Sequence, residues 1–136
     1  MLKRQNVTYK FRRLFRTIDM EIVLAQSQLK LANKQIHCFK NSKSSVQQNK
    51  YFKGQIMRIK YEKYVFQLKQ LKAEILARIN EVLDMYSGEA RHIWIEHCIK
   101  EQPISEIIKH TRVKRRRVEK IIDQINQDLI NYKILD

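Results

Sequence analysis

Apolar residues recur along the first part of the chain at spacings that alternate between four and three: Phe11, Phe15, Ile18, Ile22, Ala25, Leu29, Ala32 and Ile36. That is a heptad seam, and it predicts a helix over about residues 10–36 that packs against another helix for about seven turns. The stretch HCFKNSKSSVQQNK, residues 37–50, loses the pattern and reads as a polar linker. A second long helix is expected over residues 51–86, with the seam Tyr61, Val65, Leu68, Lys72, Ile75, Ile79, Val82 and Tyr86. Lys72 is its single charged member, a residue that tunes register or snorkels. The two helices either fold back as an antiparallel hairpin or pair between chains. Gly88, in SGE, suits the left-handed position that ends a helix, and the domain boundary is expected there, dividing 1–88 from 89–136.

Three shorter helices follow from the pattern beyond that point. The first, EARHIWIEHCIK (89–100), sets Ala90, Ile93, Trp94, His97 and Cys98 on one side, with Ile95 and Ile99 beside them. The second, PISEIIKHT (103–111), opens with Pro103 at a first helical position, where no N–H is needed, and carries the stripe Ile104, Ile107 and Ile108. The third runs from about Lys114 to Tyr132, with Val118, Ile121, Ile122, Ile125, Leu129 and Tyr132 facing inward. Only two Gly and one Pro punctuate the 136 residues. The fold class expected is therefore all-α: a long N-terminal helical hairpin, coiled-coil-like, followed by a C-terminal helix-turn-helix domain.

Charge changes the picture more than composition does. The formal net charge is +14, which points to a polyanionic partner, nucleic acid before an anionic membrane surface. Residues 1–88 carry 18 Lys and Arg against 6 Asp and Glu, whereas residues 89–136 carry 10 against 8. Seven of those ten basic residues fall between Lys109 and Lys120. A nearly neutral module with one concentrated basic edge is what a specific DNA-docking face requires.

That edge, HTRVKRRRVEK (110–120), holds a turn, TRV, whose Val113 is placed to plug between two helices. Val118 and Ile121 fix the inner face of the helix that follows. Arg115, Arg116, Glu119 and Lys120 then project from its N-terminal end, the end that enters the major groove in helix-turn-helix proteins. Arg and Lys donate to guanine edges there, and Glu accepts from cytosine. Lys109, Arg112, Lys114 and Arg117 are expected on phosphates, which supply affinity without sequence information. The plainer reading of the cluster is a solvated charge run or an address tag.

Over residues 89–132 the chain resembles the region-4-type helix-turn-helix of bacterial sigma factors, and in full layout the small phage-encoded late transcriptional regulators of the ArpU/RinA type. The resemblance implies a DNA-binding activator of phage or mobile-element late genes, those for packaging and morphogenesis, with RNA polymerase as second partner. Two departures stand out. Arg112 occupies the turn position usually held by a small residue, often Gly, and Lys114 the capping position usually held by Ser or Thr. Each gives up a local advantage: an easy φ > 0 in the first case and an N-cap acceptor of roughly 1 kcal/mol in the second.

Other chemistry is expected to be absent. Cys38 and Cys98 each follow a histidine but stand sixty residues apart, unlike paired zinc ligands, and no metal or cofactor is expected. Few cysteines, no leader-like start and no long apolar run point to a reducing compartment, the cytoplasm of a bacterial host, with no membrane span. His92 and Glu96 form an ordinary surface pair, no Gly-rich phosphate cradle exists, and an enzyme is not expected. In YKFRRLFR (9–16), Phe11 and Phe15 open the seam and leave Arg12, Arg13 and Arg16 outside it, where they can touch DNA phosphates. The N-terminal helices are also a candidate homodimer surface. The competing reading is a coiled-coil interaction or structural protein whose basic surface holds a protein or RNA partner.

Overall fold

The structure, a computed structural model, describes residues 4–132. The first three residues of the basic start and residues 133–136 lie outside that range. Among the described residues the chain is all helical: α1 (Arg4–Phe39), α2 (Ser45–Leu83), α3 (Gly88–Trp94), α4 (Ile104–Thr111) and α5 (Arg115–Asn131), with a π-helical turn, Ile95–Ile99, continuing α3.

The polar linker expected over 37–50 contracts to residues 40–44. Its Ser, Asn, Gln and Lys residues mark solvent-facing helix rather than loop, since no Gly or Pro interrupts them and an existing helix extends at little cost. Ser44 makes the new start by accepting the amide of Gln47 at 3.2 Å. The helix expected to reach Tyr86 ends at Leu83 and is closed by tight turns, Met85 N to Val82 O at 3.1 Å and Tyr86 N to Leu83 O at 3.0 Å. Gly88 does not take the left-handed role expected of it: no glycine has positive φ. It opens α3 instead, because Ser87 caps that helix by accepting Ala90 N at 3.2 Å. Pro103 likewise sits one residue earlier than expected, at the N-cap of α4.

The compact units do not divide at residue 88. One comprises the described chain up to Arg16 together with the chain from Ala73 onward; the other is Thr17–Lys72. The reason is visible in the core. Val7, Phe11 and Phe15 of α1, and Ile79, Val82 and Leu83 of α2, are buried in one cluster with Ala90, Ile93, Trp94 and Cys98, Ile107 and Val113, and Val118, Ile122, Ile125 and Leu129. Phe11 meets Trp94 edge to face, with ring centroids 5.3 Å apart. A buried polar chain runs through the same cluster. Trp94 Nε1 donates to Asn126 Oδ1 at 2.9 Å, Asn126 Nδ2 donates to Thr8 Oγ1 at 3.4 Å, and that hydroxyl meets Cys98 Sγ at 3.6 Å. Every one of these groups would otherwise be an unsatisfied buried polar atom. Tyr132, expected to face inward, is 59% exposed; Asn126 holds the inner place the helix period left unassigned.

Burial pushes the Cys98 thiol from its ordinary 9.0 to about 12, against weaker opposing effects of the Thr8 hydrogen bond and the Arg12 charge. The thiol stays neutral and inert at physiological pH, whereas Cys38 is exposed. Native protein is therefore expected to take up one equivalent of a thiol-alkylating reagent quickly and a second only on unfolding. Between pH 9 and 12 the unfolded thiol has lost its proton and the folded one keeps it, so stability falls with rising pH across that window.

The unit Thr17–Lys72 is an antiparallel hairpin of α1 and α2 within one chain. Its seam is the expected one: Ile18, Ala25, Ala32, Val65 and Leu68 are buried, and Ile22, Leu29, Ile36 and Tyr61 are half-buried. Lys72, the charged member, reaches Asp19 Oδ1 at 2.6 Å. At the turn end Gln35 Nε2 donates to Lys50 O at 2.6 Å. Gly54 lets the helices close there, since a Cβ would stand 3.1 Å from Ile36 Cγ1.

Candidate nucleic-acid interface

α4, the turn and α5 form a braced pair within the first unit. Ile107 and Val113 are buried against Val118 and Ile122, so Val113 fills the plug position. The turn is closed by backbone and one side chain. Arg112 N donates to Ile108 O at 2.9 Å. Thr111 Oγ1 donates to Ile107 O at 2.7 Å and accepts Val113 N at 3.3 Å. Thr111 was not among the sequence candidates, although a hydroxyl just before a turn is a recognisable local device.

Arg112 takes the left-handed conformation, φ 57° and ψ 20°. The conformation usually left to Gly is thus retained with an arginine in it, at about 1–2 kcal/mol. Arg112→Gly is expected to raise stability by about 0.5–1 kcal/mol once glycine's extra unfolded-state freedom is subtracted. A thermal melt of the variant checks this; an unchanged or lower midpoint would mean that the turn is not strained.

Lys114 is the N-cap of α5, extended at φ −64° and ψ 142°, and contributes no side-chain cap. Arg117 N and Val118 N both donate to its carbonyl at 3.0 Å. The amides of Arg115 and Arg116 belong to the first turn, whose N–H groups have no intrahelical acceptor and favour an anion.

Helix periodicity sorts the charged side chains around the buried Val118 and Ile122. Arg116 and Lys120, both exposed, lie one turn apart on the opposite side. Arg115 and Glu119 share one flank, with Nη1 to Oε1 at 3.9 Å, and Glu119 is half-buried. Arg117 lies on the other flank, where its Nη2 is 3.1 Å from Glu89 Oε1 of α3. Lys109, exposed on α4, stands 3.4 Å from Glu106. Arg112 and Lys114 are exposed. All eight sequence candidates thus fall on α4, the turn and the first two turns of α5. The ion pairs at Arg117 and Lys109 are local partners that periodicity did not reveal. Exposed pairs of this kind are weak and exchange for a phosphate at little cost.

The arginines of the N-terminal helix divide. Arg12 Nη2 donates to His97 O at 2.5 Å, and Arg16 pairs with Glu101. Those two hold the end of the π-helical turn, where Glu101 is left-handed at φ 60°. Arg13 is exposed. Tyr86 donates to Asp128 of α5, and burial followed by that hydrogen bond raises its phenol above the ordinary value.

Among the described residues no group of three or more His, Cys, Asp or Glu could hold a metal ion, and no helix is long and apolar enough to cross a membrane. The chain matches no known family model, no curated protein and no solved structure.

Proposed function

We propose that the protein is a sequence-specific, double-stranded-DNA-binding transcriptional regulator, an activator of phage or mobile-element late genes that acts with host RNA polymerase. The observation that carries the DNA reading is the outer face of α5. Arg116 and Lys120 are exposed side by side, opposite a fully buried stripe, at the N-terminal end of a helix braced by α4. Arg115 flanks them for base contact, with Glu119 placed beside it. Lys109, Arg112, Lys114 and Arg117 surround them for phosphates. Activation, late genes and polymerase come from the resemblance of residues 89–132 to sigma region 4 and to the ArpU/RinA regulators.

The test is selection from random duplexes with the full-length protein at near-physiological salt. One enriched motif supports the reading, and Arg116→Ala then loses preference at one position of that motif. Binding without any enriched motif overturns it. A second reading, an interaction protein, is favoured by apolar residues left exposed on the hairpin, Leu24, Leu31, Ile56 and Phe66 among them. Cellular function that survives Arg116→Ala with Lys120→Ala would favour that reading.

A further inference from the structure

The two ends of the Thr17–Lys72 hairpin balance their charges differently. From Ile22 to Tyr61 the chain holds seven Lys and one Arg, and no Asp or Glu. The hairpin folds that span back on itself, so both helices of its closed end are free of acid over about 27 Å of length. All seven lysines are exposed, and among the described residues none of them is in an ion pair. Lys50 and Lys60 lie against the rings of Phe39 and Tyr61, 5.3 and 5.8 Å from their centres. Where acids resume, charges pair at once: Arg58 faces Glu62 at 4.0 Å, Tyr64 donates to Glu21 at 2.9 Å, and Lys72 meets Asp19 at 2.6 Å. The seam of the closed end is held by apolar side chains and the close approach at Gly54, so packing asks for none of this charge. Like charges gathered in this way oppose the compact state, and a bound polyanion stabilises it.

The side chains beside the lysines select the polyanion. The end itself, KNSKSSVQQNK (40–50), holds three Lys, seven Ser, Asn or Gln, and one apolar residue, Val46. The core of a protein interface is apolar and poor in Lys, and a segment that enters a membrane surface needs an apolar face to bury. Neither fits residues 40–50. Phosphodiester oxygens accept from Lys, Ser, Asn and Gln side chains alike. Width decides what part of a duplex is met. The major groove, about 12 Å wide, admits one helix, and two helices side by side are about 20 Å across. The hairpin therefore meets the backbone, and its lysines act as point charges that carry no sequence information.

We propose that the closed end of the hairpin, with Lys34, Lys40, Lys43 and Lys53, is a second DNA surface that grips duplex phosphates without reading bases. The identity of the polyanion rests on the DNA reading above. The test is the salt dependence of binding by the full-length protein to a random-sequence duplex. Two double variants remove the same charge: Lys40→Gln with Lys43→Gln at the closed end, and Lys63→Gln with Lys69→Gln towards the open end. All four side chains are exposed, so the helical circular-dichroism signal and the melting temperature should hold in both. The closed-end pair is expected to reduce the slope of log affinity against log salt by about 1.8, two phosphates at about 0.9 each. The other pair is expected to change it by less than half as much. An unchanged slope for the closed-end pair overturns the inference. Equal changes for the two pairs do so too, since net charge alone would then account for the attraction. Binding to phosphatidylserine vesicles that the closed-end pair abolishes, with duplex binding unaltered, would assign the surface to a membrane and overturn it as well. An enriched motif with no change of slope would remove this surface and leave the reading by α5 standing; a change of slope with no enriched motif would do the reverse.

Discussion

A fragment of residues 87–136 is expected to be unfolded in isolation, although it contains the whole helix-turn-helix. The cluster that supports α3, α4 and α5 includes Val7, Phe11, Phe15, Ile79, Val82 and Leu83, and the fragment lacks all six. Complete burial of such side chains is worth about 1.5–3 kcal/mol each, so their loss is on the order of ten kcal/mol. That equals the whole stability of an ordinary domain, about 5–15 kcal/mol. The fragment would also leave Asn126 Nδ2 without the Thr8 hydroxyl and His97 O without Arg12. Far-UV circular dichroism and a thermal melt check the expectation; a helical fragment with a cooperative transition would refute it. In the full chain the corresponding point variant is Phe11→Ala. It removes the edge-to-face partner of Trp94 and is expected to cost about 3–5 kcal/mol, at a position 83 residues before Trp94 in sequence. DNA binding should fall with the folded fraction and recover on cooling, which separates it from loss of a contact.

The second large effect is expected at the outer face of α5. With Arg115, Arg116 and Lys120 all replaced by alanine, affinity for a selected duplex is expected to drop at least a hundredfold, since each base contact is worth about 1–3 kcal/mol. The melting temperature should hardly move, because all three side chains are exposed. Salt distinguishes the two sets of residues. Phosphate contacts release counterions, so each one contributes about −0.9 to the slope of log affinity against log salt. The triple variant is expected to keep most of that slope and to bind random and selected duplexes alike. Replacing Lys109 and Lys114 should instead lower the slope and weaken binding on every sequence. An equal loss on all duplexes for the triple variant would mean that α5 grips backbone and reads nothing. The individual roles within the face are expected to be unequal. Arg116 and Lys120 point directly away from the buried stripe, while Glu119 is half-buried beside Arg115 and has the shortest reach.

Much of this molecule was decided locally. The four-three spacing of apolar residues determined both long helices and named the seam that the hairpin buries, because a period of 3.5 brings every such residue to one side. Helical periodicity likewise identified Ile107, Val118, Ile122, Ile125 and Leu129 as interior, and the turn pattern TRV identified Val113. The uncapped start at Lys114 was legible too, since a lysine side chain offers no acceptor for the first-turn amides; the left-handed turn at Arg112 was not, since an arginine there argues against φ > 0 and the structure keeps that conformation all the same. Other features depended on partners far away in sequence. Nothing local distinguishes Thr8 or Asn126 from ordinary surface residues; they are interior only because Trp94 Nε1 and Cys98 converge on them. Arg12 and Arg16 read as free cations until the turn at Glu101 supplies their acceptors. The boundary at residue 88 followed a local signal, Gly88 read as the end of the second long helix. The compact unit instead joins the chain up to Arg16 with the chain from Ala73 onward, because three short helices bury too little apolar surface on their own and are completed by Phe11, Phe15, Ile79 and Leu83. Periodicity determines which side of a helix is buried, and only the tertiary structure decides what buries it.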